Sequence, residues 1–281
     1  MTVVETPGRS GRFESAVVAL RITPLALIGG RHATRVLERN ILVYRRQWIY
    51  LVSGFLEPLF YLFSIGVGLS HLVGPVRVSG RLIAYTSFVA PGLLAASAMN
   101  GAMIDATFQV FHKLKIAKTY DAMLATPLQV GDVATGELGW CVLRGTLYSA
   151  AFVCIMSGLG YIVSPWVVLC WPVAIITSFA FGSAAMSGTT YMRSWQDMDT
   201  VSLVFIPLFL FSGTFYPLTV FPGWLQAIVR CTPLYQSVAL MRGADLGIFG
   251  WVLLGHLAYL LAMGIGGIVI TRRRLGRLLL P

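Results

Sequence analysis

The sequence predicts an all-α integral membrane protein with six transmembrane helices, and three observations carry that reading. Hydrophobic residues make up 57% of the chain, charged residues only 11%, and the mean hydropathy is +0.77. A soluble domain carries about 25% charged residues, so this chain lacks the polar surface to cover itself. The apolar residues fall into runs of the ~20 that a bilayer requires, and Lys and Arg flank those runs instead of forming one patch. The net charge of +10 therefore fits the positive-inside rule and anionic headgroups, and argues against nucleic acid.

Residues 1–30 read as a cytoplasmic tail. Glu5, Arg9, Arg12 and Glu14 deny them the apolar core of a cleavable signal. Over 31–48, a helical wheel gathers Ala33, Val36, Leu37, Ile41, Tyr44 and Trp48 on one side. Arg31, Arg35, Glu38, Arg39, Arg45 and Arg46 fall on the other. That is a basic amphipathic helix suited to the interfacial headgroup layer. The first span, about 49–69, holds one charge, Glu57, followed by Pro58. The second covers about 82–110, with Asp105 toward its inner end. Gly145–Met192 is a run of 48 residues without Asp, Glu, Lys, Arg or His. It is long enough for parts of two spans, about 137–161 and 165–192, joined by a turn at Gly160–Pro165. Span five, about 201–221, ends where Pro217, Pro222 and Gly223 break it. The semi-apolar stretch 222–247 is expected to dip half-way into the outer leaflet as short helices, covered by protein. Span six, about 248–271, leads to a basic tail, 272–281, with Arg272, Arg273, Arg274 and Arg277.

Counting Lys and Arg orients the chain. With both termini inside, the cytoplasmic segments hold sixteen and the outer loops four: Arg77, Arg81, Arg230 and Arg242. The bias predicts six spans with both termini cytoplasmic. No internal repeat is evident, which weighs against the inverted-repeat secondary transporters. The four cysteines, Cys141, Cys154, Cys170 and Cys231, form no CxxC pair and read as small packing residues, not a disulfide or a metal site. No nucleotide-binding GxxxxGK[ST] run, metal-spaced His pair or nucleophile–base arrangement is present. The chain is therefore not expected to be an enzyme, nor to carry a metal or cofactor of its own.

A polar, basic interruption at 111–127 organises the rest. On a helical wheel Ile116, Ala117, Tyr120, Met123 and Leu124 share one side, and His112, Lys115, Lys118, Thr119 and Asp121 the other. Lys113 is the one charge on the apolar side, and Pro127 ends the segment. Such a helix lies on a membrane surface or against a partner protein. Glu57 is the ionisable group most deeply placed in a span, either paired with Arg144 or protonated. Asp105 and Glu137 lie near the inner interface, where hydration is cheap, and His256 reads as a hydrogen-bonded packing residue. The small-residue runs at 92–102 and 181–190 suit close helix approach, within one subunit or between two.

EPLFYLFSIGVGL at 57–69, FVAPGLLAASAMNGAMIDATF at 88–108, KTYDAMLATPLQVGDVATGELGW at 118–140 and LFLFSGTFYPLTVFPGWLQAIVRCTPLYQSV at 208–238 together resemble one family. It is that of the membrane subunits of type-2 ABC exporters, especially the nodulation-factor and polysaccharide or drug exporter branch. The resemblance covers nearly the whole chain beyond residue 31. It implies that 111–127 is the coupling helix, with Lys115, Lys118, Tyr120 and Leu124 meeting a cytoplasmic ATPase. It also implies two separate ATPase subunits carrying ATP and Mg, and a second membrane subunit, expected to be a copy of this one, in the plasma membrane. The expected cargo is amphipathic, lipid-like or lipid-linked, with Glu57, Asn100 and Ser212 on its route. A hydrophobic drug or antibiotic is the alternative cargo, and a membrane-embedded lipid-modifying enzyme the alternative class.

Overall fold

The computed structural model describes residues 32–45, 56, 59–78 and 80–279. Helix α1 is Ala33–Arg45, and α2 is helical over 59–73 with a π turn at Ile65–Leu69. A hairpin follows, with β1 at Val76–Val78 and β2 at Arg81–Ile83 paired antiparallel. Then come α3 (Tyr85–Ile116), α4 (Thr119–Leu124), α5 (Val130–Gly158) and α6 (Pro165–Thr189). The chain ends with α7 (Asp197–Leu210), α8 (Gly223–Cys231), α9 (Pro233–Leu246) and α10 (Trp251–Leu279). Among the described residues four helices are long and apolar enough to cross a membrane: α3, α5, α6 and α10. These match the second, third, fourth and sixth expected spans. Of the first expected span, residues 56 and 59–69 are described, whereas 49–55, Glu57 and Pro58 lie outside the described residues, as does Trp48 before it.

Local chemistry sets the ends. Gln129 and Asp132 form a capping box, with the Gln129 N–H donating to Asp132 Oδ2 at 3.0 Å. It starts α5 at Val130, a full turn and more ahead of the expected 137, because two orphan N–H groups are satisfied there. Gly160, with φ +72°, turns the chain between α5 and α6, and Pro165 occupies the first turn of α6. The expected basic tail at 272–281 is the last turns of α10, which run on to Leu279.

Helix α3 is the hub, packed on α5, α6 and α9. Its small residues let the backbones meet: a Cβ on Gly101 would lie 2.8 Å from Gly145 Cα of α5. Gly267 of α10 does the same against the Ser183 carbonyl carbon of α6, at 2.7 Å. The small-residue runs thus serve packing inside this subunit. Two corrections follow. Helix α1 does not offer its apolar side to lipid; Leu37 and Tyr44 are buried with Trp140 of α5, and the Tyr44 and Trp140 rings stack at 4.6 Å. Gly136 permits this, since a Cβ there would lie 2.5 Å from Val36 Cβ. The stretch 74–81, expected to be a plain loop, holds the hairpin; Val76 and Val78 are half-buried on the core.

Span five, expected to run to 221, stops at Leu210. The following turn is stitched inward by Arg242 of α9, which donates to Gly213 O at 3.0 Å and Phe88 O at 3.3 Å. Its guanidinium carbon lies 3.9 Å from the Phe88 ring centroid. One planar fork thereby binds α3, α9 and the turn. Arg242→Met keeps the stem but strands the carbonyls, and is expected to cost about 2 kcal/mol in thermal unfolding of the detergent-solubilised protein. The short helices expected before the last span are present as α8 and α9.

Candidate functional site

The end of the bundle that carries α1, α4 and the C-terminal arginines is the basic end. There α1, α3 and α5 meet around four ionisable side chains shut away from solvent: Asp105, Lys113, Glu137 and Arg144, at 1%, 9%, 2% and 4% exposure. Arg144 Nη1 donates to Asp105 Oδ1, and Tyr44 Oη donates to the same oxygen at 3.2 Å. Arg144 Nε also donates to Tyr148 Oη at 2.9 Å. One helical repeat toward the end, Lys113 Nζ donates to both Glu137 oxygens, at 2.9 and 2.7 Å. Asn40 of α1 closes that group, accepting from Lys113 at 3.1 Å and donating to Glu137 at 3.0 Å. A buried ion alone costs several kcal/mol, so each charge here is tolerable only with its partner.

These pairs change three expectations. Asp105 and Glu137 are not hydrated at an interface but enclosed. Lys113, the odd charge on an apolar wheel face, has its counter-ion. Arg144 holds Asp105, while Glu57 falls outside the described residues. Reciprocal spacing on α3 and α5 was the available signal, but it is readable only once the two helices are known to be neighbours.

The segment 111–127 is not one helix. Helix α3 continues to Ile116 in a π turn, closed by Ala117 N–H donating to His112 O at 2.8 Å. Lys118 then takes a left-handed conformation, φ +45°, which costs a non-glycine residue about 1 kcal/mol, and α4 begins. The break rotates Ile116 out to 56% exposure while Tyr120 stays at 1%. Tyr120 and Met123 pack inward with Val133, Leu138 and Cys141, and Leu124 is half-buried. Burial holds the Tyr120 phenol well above its ordinary pKa, so it stays neutral. The outward surface includes His112, Lys115, Ile116, Lys118, Asp121 and Pro127, with small residues between them. Of the four residues expected at a partner, Lys115 and Lys118 are on the surface, Leu124 is at its edge, and Tyr120 is the anchor beneath.

A cleft runs between α3, the end of α6 and α7. Its larger part, about 420 Å³, is walled by Met103, Tyr191, Val204, Phe205 and Leu208. A smaller part, about 170 Å³, adds Asn100, Thr107 and Phe108. The Thr107 hydroxyl is taken, donating to Met103 O at 2.6 Å. Asn100 Nδ2 and Oδ1 have no hydrogen bond among the described residues. Of the residues expected on a substrate route, Asn100 lines this cleft, whereas Ser212 is fully buried and bonded to Phe209 O and Thr214 Oγ1, at 2.8 and 2.7 Å.

Residues 32–246 match the family described as ABC-2 type transporter. The chain is 32% identical to nodulation protein J of Rhizobium meliloti (strain 1021) over 216 residues, 75% of this chain and 80% of that protein. It is 34% identical, over the same shares, to nodulation protein J of Rhizobium leguminosarum bv. trifolii. Similarity extends to the inner membrane transport permease YadH of Escherichia coli (strain K12), at 23% identity over 73% of this chain and 79% of that protein. With four described helices long and apolar enough to cross a membrane, and a family match over most of the chain, this protein belongs to the ABC-2 type transporter family of membrane permeases.

Proposed function

We propose that the chain is the membrane subunit of an exporter driven by a separate ATPase, and that it moves an amphipathic, lipid-like or lipid-linked molecule out of the cytoplasm or inner leaflet. The observation that carries the cargo class is the cleft along α7, a mostly apolar wall with the Asn100 amide in its smaller part and Asp197 and Thr200 at the edge of its larger part. An apolar tail fits against Met103, Phe205 and Leu208, and a polar head finds a donor and an acceptor in Asn100. A second copy of the chain, set against the exposed Leu203, Val204 and Ile206 of α7, would close the route, with Glu57 as a further candidate on it. The working assembly is two such subunits in the plasma membrane, both termini cytoplasmic, with two ATPases holding ATP and Mg. Lys115 and Lys118, beside the apolar Ile116, would meet the ATPase.

The test is reconstitution with the ATPase and measurement of ATP hydrolysis against glycolipids, hydrophobic drugs and free sugars. Glycolipids are expected to stimulate, and stimulation by free sugars alone overturns the cargo class. Hydrophobic drug efflux is a second reading, favoured by the scarcity of polar groups in the wall. The two readings part at Asn100→Leu, which is expected to abolish glycolipid stimulation while leaving a drug response intact. Separately, Lys115→Glu with Lys118→Glu is expected to lower stimulated hydrolysis about tenfold by opposing the ATPase contact, with membrane insertion unchanged. Wild-type stimulation in that variant removes the ATPase-contact assignment.

A further inference from the structure

The two buried ion pairs form an antiparallel ladder between α3 and α5: Asp105 with Arg144, and Lys113 with Glu137. The rungs are unequal. Asp105 and Lys113 are eight residues apart on α3, whereas Glu137 and Arg144 are seven apart on α5. Seven residues of α-helix return to nearly the same face, after about 700°, but eight overshoot it by about 80°. A regular α3 would therefore turn Lys113 away from Glu137. The π turn Asp105–Gln109, closed by Val110 N–H on Asp105 O, resolves the mismatch. It accommodates one extra residue, and α3 spends eight residues where α5 spends seven. The extra residue sits between the two pins.

We propose that this stretch of α3 is a register switch, in which the Lys113–Glu137 pair is the releasable pin that keeps an extra residue in the π turn. When Lys113 leaves Glu137, the turn relaxes to α-helix and the surplus residue passes toward the basic end. Room for it exists there, because a second π turn, His112–Ile116, runs into left-handed Lys118. Residues 110–116 then rotate by one residue, about 100°, which moves a side chain at a helix radius of about 5 Å by about 8 Å. Asp105 and Arg144, tied in addition to Tyr44 and Tyr148, remain the fixed pin. Asn40 couples the releasable pin to α1, so α1 loses that one contact in the same step while Tyr44 keeps its hold on Asp105. The consequence for transport rests on the assignment of 111–127 to the ATPase; the rotation itself does not.

The test uses the full chain in lipid nanodiscs, with Cys154 and Cys231 changed to Ser and spin labels on Ile116→Cys and Arg273→Cys, all four exposed positions. Pulsed distance measurement is made on the parent, on Lys113→Met with Glu137→Met, and on the swap Lys113→Glu with Glu137→Lys. The methionine pair is expected to show a second distance several ångströms from the parent's, and the swap to restore the parent distribution. An identical single distance in all three overturns the switch. Should the methionine pair fail to insert, Lys113→Gln with Glu137→Gln is measured instead. It removes both charges of the releasable pin while keeping polar side chains there and is expected to show the second distance; the parent distance alone overturns the proposal. Adding the ATPase with ATP to the parent separates the two ideas. A move to the second distance supports both, whereas no move, with the methionine pair shifted, leaves the switch standing and removes the ATPase assignment.

Discussion

Glu137→Leu is expected to remove most of the correctly folded protein from the membrane. The change leaves Lys113, 9% exposed, with Asn40 as its remaining polar contact, and breaking one side of a buried pair costs about 3–5 kcal/mol. That is a large share of the 5–15 kcal/mol that holds a typical domain together. The measurement is the yield of monodisperse protein in detergent and its thermal midpoint. Changing both partners, Lys113→Met with Glu137→Met, is expected to recover most of the yield, since no uncompensated charge remains. A single variant as stable as the parent would show that Lys113 reaches water, and the enclosed layer would not exist as described.

Gly145→Leu is expected to be the most damaging change among the glycines. A Cβ at this position would lie 2.6 Å from Ala98 O of α3 and would run into Ser178 Oγ of α6. One methyl group thus meets two neighbouring helices, and one contact is backbone, which cannot rotate aside. Overpacking a core costs about 1–3 kcal/mol where side chains can shift; here three helices must separate, so a cost above that range is expected. Gly158→Ala, on the same helix, is the control. Nothing lies within 4 Å of a Cβ there, and the better helix propensity is expected to leave the midpoint unchanged or slightly raised. Equal loss in both variants would remove the close-approach account.

Much of this architecture was legible in the sequence because bilayer length and charge placement leave few alternatives. The uncharged run Gly145–Met192 had to be divided between two spans, and the turn falls at Gly160 as its sequence signals required. The misplaced ends have one local cause and one distant cause. Helix α5 starts early through a Gln129–Asp132 box whose Gln is an unusual N-cap, and α7 stops early at a turn held by Arg242, a residue distant in sequence. The 111–127 segment defeated the wheel because a wheel assumes one continuous helix, and left-handed Lys118 interrupts it. The site residues divide along the same line. The exposure of Lys115 and Lys118 follows from local periodicity. The burial of Tyr120, and the pairing of Lys113 with Glu137, depend on which helices become neighbours. Asp105 illustrates the limit most sharply: its sequence position suggested hydration, and only the packing of α1 across it made it a buried partner.

The shortness of α7 has a consequence for the lipid around it. Its 14 residues extend about 21 Å, against a hydrocarbon thickness of about 30 Å. A helix that falls short by this much is accommodated by local thinning of the bilayer. With α7 as the proposed fifth span, its apolar outward face, with Leu203, Val204 and Ile206 more than half exposed, would draw the acyl chains down to its own length instead of letting them pass over it. The barrier would then be lowest beside the cleft. A polar head carried along α7 would cross about two-thirds of the usual hydrocarbon depth, and membranes of longer-chain lipids would slow that crossing.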